Sequence, residues 1–257
     1  MKIIALNIWC GKIFEPLISF IKEHCDNVDI FCFQEVLTTN SGIETDKGWR
    51  MNIFQELEKI MPHYRGYFAG SQDRISPEGP VDFDNSFGLA MFIKKDLKVN
   101  LIDDLFVFRK KNACTFGAAT LGRNMQFAEI EQNGTVYTIC NLHGLWNGQG
   151  KGDSDERLLQ SNNIKKFLNQ KKDHIVLCGD FNLDPATESL KIIKKEMVDL
   201  IELNNIESTR SHFYRNYGKP ELNFADYMIV SPDIRVNDFK VLPDPVSDHL
   251  PLYLDFN

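Results

Sequence analysis

The sequence predicts an α/β (α+β) fold in which mixed β-sheets carry helices on their outer faces, in a single domain spanning residues 1–257. Two observations predict it. Short apolar runs of strand length alternate with amphipathic helical stretches early in the chain, and hairpin signals dominate its middle and end. A third supports a single domain, because no linker, internal repeat or low-complexity tract breaks the sequence.

Lys2–Trp9 reads as a buried strand. Phe14, Leu17, Ile18 and Ile21 then recur at the spacing of one helix face. Ile30–Gln34 is a second strand that delivers Glu35 at its end. Ile53, Leu57, Ile60 and Met61 mark a helix that Pro62 stops, since proline lacks the N–H that a helix needs. Gly70–Ser86, rich in turn residues, reads as a loop, and Phe87–Ile93 and Lys98–Asp103 as strands. Arg123–Glu131 and Thr135–Leu142 flank Asn133-Gly134, the strongest short-range hairpin signal. Asn133-Gly134-Thr135 also spells a glycosylation sequon, but without a secretory leader the turn reading prevails.

Gly144–Asp153 is a glycine-rich loop carrying Trp146, which reads equally as a lid over a pocket or as a surface segment. Asp153 or Ser154 can cap the following helix, whose buried face carries Ile164, Phe167 and Leu168. A strand at His174–Cys178, a helix near Glu188–Lys195 and a polar loop to Phe224 come next. Strands at Tyr227–Ser231, Ile234–Leu242 and Leu252–Phe256 finish the chain.

Hydrophobic residues make up 43% and charged residues 25%, the composition of a globule with a substantial core. A formal charge of −7 argues against strong non-specific attraction to nucleic acid, which needs clustered Lys and Arg. Lys94, Lys95, Lys98, Lys165, Lys166, Lys171, Lys172, Lys191, Lys194 and Lys195 alternate with apolar residues and read as solvated faces. Cys10, Cys25, Cys32, Cys114, Cys140 and Cys178 show no CxxC spacing, so buried reduced thiols explain them better than a disulfide frame or a zinc site. With no leader and no long apolar run, the expectation is a cytoplasmic protein with no membrane span and no obligate protein partner.

Polar residues stand at the ends of these strands, where a ligand can reach them. Glu35 follows an apolar run; a carboxylate there needs a compensating cation, either a metal or a Lys or Arg. Asp180 and Asn182, two residues apart, point the same way on extended backbone and could hold a water beside a phosphoryl oxygen, or else form an Asx turn. Asn141 and His143 share a strand face, and His143 is either a phosphate donor or a structural imidazole. Asp248 and His249 face opposite ways on extended backbone, suiting one to metal and the other to phosphate, with Asp226 as partner for the imidazolium. Arg123, Trp146, Arg210 and Arg157 are candidate substrate or phosphate contacts. Together these imply a metal-dependent phosphohydrolase.

Leu6-Asn7-Ile8-Trp9, Phe33-Gln34-Glu35-Val36, Asn141-Leu142-His143, Gly179-Asp180-Phe181-Asn182, Ala225-Asp226-Tyr227 and Ser247-Asp248-His249-Leu250-Pro251 follow in that order from the first strand to the last. In that order and spacing the chain resembles the endonuclease/exonuclease/phosphatase superfamily. The resemblance implies a four-layer sandwich, two mixed sheets face to face with helices outside. It implies Mg²⁺ or Mn²⁺ held chiefly by Glu35, with Asn7 and Asp248 nearby. Asp180 would activate water, Asn182 would position it, His249 with Asp226 would stabilise the transition state, and His143 would touch a phosphoryl oxygen. The implied substrate is a phosphate ester, a diester or a monoester, with a nuclease as the alternative and a non-catalytic scaffold as a further one. The glycine-rich loop after His143 and the acidic net charge depart from the duplex-DNA endonucleases.

Overall fold

The computed structural model describes residues 1–113, 121–171 and 173–257. Cys114 and Lys172, read above as a buried thiol and part of a solvated face, lie outside the described residues. The chain opens with β1 (Lys2–Asn7), a 3-10 turn at Trp9–Gly11, α1 (Phe14–His24) and β2 (Ile30–Thr38). A small hairpin of β3 (Thr45–Asp46) and β4 (Trp49–Arg50) leads into α2 (Ile53–Ile60) and β5 (Tyr64–Asp73). A second small hairpin, β6 (Ile75–Ser76) with β7 (Gly79–Pro80), precedes β8 (Ser86–Lys94) and β9 (Lys98–Phe108). Then come β10 (Arg123–Gln132), β11 (Thr135–His143), α3 (Asp155–Lys171), β12 (Ile175–Asp180) and α4 (Glu188–Lys194). β13 (Val198–Asp199), α5 (Leu200–Leu203), β14 (Asp226–Val230), β15 (Val236–Val241) and β16 (Leu252–Phe256) complete it.

Two six-stranded sheets result, ordered β15-β16-β1-β2-β8-β5 and β13-β14-β12-β11-β10-β9. Each is antiparallel except for one parallel pair, β1 with β2 and β11 with β12. Strand periodicity sorts the side chains. Ile3, Ala5, Ile30 and Cys32 pack into the cluster between the sheets, while Ile4, Leu6, Phe31 and Phe33 pack outward with Leu17, Ile21, Ile53 and Leu57 of α1 and α2. Ile164 and Leu168 of α3 and Leu190 and Ile193 of α4 cover the other sheet. Burying each such side chain stabilises the fold by roughly 1.5–3 kcal/mol. The expected four layers are present.

Three expectations need correction. β1 ends at Asn7 rather than running to Trp9, because Trp9 and Cys10 take φ of 48° and 49° and turn the chain. β5 runs through the segment read as the start of a loop. Its Gly66 and Gly70 dilute the strand pattern, yet Gly66 is where the Phe92 ring presses in, 2.9 Å from where a Cβ would sit. The polar loop before Phe224 likewise holds β13 and α5, capped by Asp199, whose carboxylate accepts from the N–H groups of Ile201 and Glu202.

A polar clasp joins the sheets beneath the site. Gln34 Nε2 donates to Asn141 Oδ1 at 2.7 Å, and Asn141 Nδ2 donates to the Phe33 and Ala90 carbonyls. Gly179 permits this approach: it has φ of 127°, and a Cβ there would stand 2.2 Å from the Leu142 carbonyl oxygen and 3.1 Å from Gln34 Nε2. Gly179→Ala is therefore expected to lower stability by roughly 3 kcal/mol. A urea midpoint within error of wild type would contradict that account.

Candidate active site

The parallel pairs bring the C-terminal ends of β1, β2, β11 and β12 to one rim, and antiparallel β14 starts there, with Asp180 opposite Asp226. Glu35 reaches the rim by a different device from the one expected. β2 does not end at Gln34; it bulges between Phe33 and Val36, and Glu35 takes φ of 54° there. A bulge re-aims a side chain in this way.

Asn7 ties the first two carboxylates together. Its Nδ2 donates to Glu35 Oε1 and to Asp180 Oδ2, both at 3.0 Å, while its Oδ1 accepts from Trp9 N–H. Asp180 Oδ1 accepts from the N–H of Asn182 at 2.9 Å, and Asn182 holds φ of 54°. The Asx turn is present and Asn182 is not on the extended backbone expected, yet both residues line one cavity. Burial, and then the charge of Asp248, push the Glu35 carboxyl up to about 7.

Two imidazoles flank Asp180. His143 Nε2 lies 3.8 Å from both Glu35 Oε1 and Asp180 Oδ2. Its Nδ1 faces Arg123 Nη1 at 3.2 Å, and since a guanidinium can only donate, the ring proton sits on Nε2. Burial, with Arg123 next, holds His143 well below the usual histidine range. His249 Nδ1 lies 2.8 Å from both oxygens of Asp226, which also accepts from Thr209 Oγ1. His249 Nε2 stands 3.6 Å from Asp180 Oδ2 and accepts from Arg210 Nη1. Burial and Arg210 lower His249 to about 4, and burial raises Asp226 to about 6. Burial and Arg210 thus oppose the imidazolium form that Asp226 would hold.

Asp248 and His249 do not face opposite ways. The chain bends at Ser247 and Asp248, and both side chains meet Arg210, which donates to Asp248 Oδ2 at 3.4 Å. Arg157 is no part of the site. It is 1% exposed, and its two terminal nitrogens donate to the Gly150 and Gly152 carbonyls at 2.6 Å, pinning the glycine-rich loop. Ser154 caps α3 through Arg157 N–H, while Asp153 accepts from the Glu188 and Ser189 N–H groups at the start of α4, whose N-cap is Thr187.

The profile of the endonuclease/exonuclease/phosphatase family matches residues 4–249. The chain belongs to that family. Its members hydrolyse phosphate esters and typically depend on divalent metal. An endonuclease/exonuclease/phosphatase family protein from Leptotrichia buccalis C-1013-b is similar in structure, with TM-score 0.75 and 17% identity over 100% of this chain and 99% of that one. So is a mannosyl-6-phosphatase of Bacteroides thetaiotaomicron VPI-5482, with TM-score 0.71 and 18% identity over 100% and 99%. The catalytic domain of human Nocturnin with bound sulfate has TM-score 0.69 and 20% identity over 100% and 93%. At these identities the likeness is one of fold. No curated protein matches the chain.

On this family scaffold the rim opens into a cavity of about 870 Å³. Glu35, Arg123, His143, Asp180, Asn182, Arg210, Asp248 and His249 line it, together with the aromatic residues Trp9, Trp49, Trp146 and Tyr214. The β6–β7 hairpin closes one side. Of these aromatic residues only Trp146 was a sequence candidate; Trp9, Trp49, Tyr214, Thr209 and Lys151 went unread as site residues. Thr209-Arg210-Ser211 sat in what read as a polar loop from which only Arg210 was singled out, and the bridge of Arg210 to His249 brings Thr209 to the site with it. No helix among the described residues is long and apolar enough to cross a membrane.

Proposed function

We propose that the chain is a divalent-metal-dependent hydrolase of small phosphate esters, with water attacking phosphorus and the whole site carried by one domain of residues 1–257. The observation that supports it most is Asp180, fixed by Asn7 and the Asn182 N–H and standing between two imidazoles at 3.6 and 3.8 Å. Glu35 and Asp180 offer carboxylate oxygens within 4.8 Å of one another, with the His143 Nε2–H beside both. Among the described residues no lysine or arginine ion-pairs with Glu35; Asp248 and Asp180 oppose its charge, and Arg123 offsets it only from a distance. A hard cation supplies the missing counter-charge, so the donor set fits Mg²⁺ or Mn²⁺.

Glu35 would hold the ion, with Asp248 near. Asn7 presents its NH₂ to both carboxylates, which suits it to aiming them. When bound, the ion offsets phosphoryl charge and eases attack at phosphorus. Asp180 takes a proton from the attacking water, which Asn182 helps to position. His143 donates its Nε2–H to a phosphoryl oxygen. An arriving phosphate draws Arg210 off His249 Nε2, and its negative charge favours the protonated ring that Asp226 orients.

The cavity volume lies within the range of small-molecule sites, which favours a compact ester over a long polymer. Among the described residues four cysteines are buried free thiols, which supports a cytoplasmic setting. The test is a Mg²⁺ and Mn²⁺ assay across sugar phosphates, mononucleotides, phosphoinositides, sphingomyelin, tyrosyl-DNA, abasic DNA and single-stranded DNA and RNA. A small ester is expected to be hydrolysed, and EDTA to abolish turnover. Turnover that survives EDTA would refute the metal, and turnover confined to polynucleotides would refute the small-ester reading.

A further inference from the structure

Lys151 sits in the glycine-rich loop after β11, at 2% exposure, yet lines the same cavity as Asp180, Asn182, Arg210 and His249. Its ammonium donates to the carbonyl of Leu222 at 3.4 Å and to that of Phe224. It lies 5.6 Å from the centroid of the Tyr214 ring, on which Arg210 also packs at 4.3 Å. Two carbonyls use two of three N–H donors. Among the described residues no carboxylate ion-pairs with it; Asp180, Asp226 and Asp184 act on it only from a distance.

The neighbouring guanidiniums are also incompletely satisfied. Arg123 and Arg210 are each 5% exposed, and the buried Nε of each lacks a hydrogen-bond partner. A buried cation without a counter-ion is costly. Lys151 and Arg123 have no ion-pair partner among the described residues and Arg210 has only Asp248 at 3.4 Å, so the three cations that line this cavity describe a cradle for an anion that arrives with the ligand.

We propose that Lys151 is a phosphate contact of this cavity, working beside Arg210 to hold a phosphoryl group, and thereby a specificity-determining residue. The inference rests on the phosphate-ester reading of the site. Lys151 also pins its loop to residues 222–224, and a purely pinning role would show in stability alone. Burial, with Arg210 next, lowers its ammonium to about 8, against the opposing pull of Asp180, Asp226 and Asp184. Its charge therefore fades above that pH, whereas an arginine at 151 would stay charged.

Inorganic phosphate is the probe, titrated calorimetrically into the full chain with Mg²⁺, beside thermal unfolding of each variant. Lys151→Met is expected to weaken phosphate binding about 10- to 100-fold, the worth of one charge-assisted hydrogen bond. Lys151→Arg is expected to restore most of it. Between about pH 8 and 9.5 wild type is expected to lose affinity while Lys151→Arg holds it, a comparison that needs no methionine variant. Unchanged affinity in a folded Lys151→Met protein, or parallel loss above pH 8 in wild type and Lys151→Arg, would overturn the inference. The assignment of a hydrolase fails separately, through absent turnover in a protein that still binds phosphate through Lys151.

Discussion

His249→Ala is expected to lower kcat for ester hydrolysis by roughly 10²–10⁴-fold, with KM moving far less. On the proposed mechanism the ring bears most strongly on the phosphoryl group as charge develops there, so its loss would fall on the chemical step. Asp226→Asn tests the same unit from behind. Asp226 contacts His249 Nδ1 through both oxygens at 2.8 Å, and an amide in its place can present an N–H there and select the wrong tautomer. The Asp226→Asn, His249→Ala double variant is expected to be little worse than His249→Ala alone, because the carboxylate acts through the imidazole. Steady-state kinetics on the ester identified in the panel provide the measure. A His249→Ala enzyme within about tenfold of wild type would remove the ring from the mechanism. Additive losses would separate Asp226 from it.

Much of this arrangement was legible because it follows strand order. Apolar runs with a single polar residue at the end, as at Asn7, His143 and Asp180, become inward-facing positions at a shared rim once β1, β2, β11 and β12 run parallel in pairs. What escaped the sequence depends on local backbone. Glu35 reads as a strand end, yet β2 continues to Thr38, and a positive φ at a bulge turns the carboxylate to the site. Asp248 and His249 read as facing apart because extended backbone was assumed, where the chain bends and Arg210 gathers both. Lys151 and Thr209 lie in segments whose composition says only loop. Their partners are backbone carbonyls and a carboxylate remote in sequence, which no spacing rule encodes.

Glu35→Gln is expected to weaken divalent-metal binding by at least about 100-fold, since one carboxylate is the chief counter-charge for the ion. The same change is expected to stabilise the metal-free fold at alkaline pH. Folding raises the Glu35 carboxyl from 4.5 to about 7, so the folded state holds that proton more tightly than the unfolded chain does. The stability linked to Glu35 is then present in full below 4.5 and is lost as pH rises through about 7. At pH 8 the wild-type protein without metal carries an opposed carboxylate, at a cost of at most about 3 kcal/mol, less in practice because 23% of the side chain remains exposed. Glutamine removes that cost. Thermal unfolding in EDTA should therefore rank Glu35→Gln above wild type at pH 8 and level with it near pH 4.5, and Mg²⁺ should raise wild type alone. Metal affinity of wild type should fall about tenfold per pH unit below 7, as the ion must displace the Glu35 proton. Equal stabilities at pH 8, with metal affinity flat from pH 8 to 5.5, would mean that Glu35 meets a fixed cation of the protein and not a metal. The bulge that holds Glu35 against like charge would then have no function in binding. The two measurements together decide whether its unfavourable placement is the stored cost of a metal site.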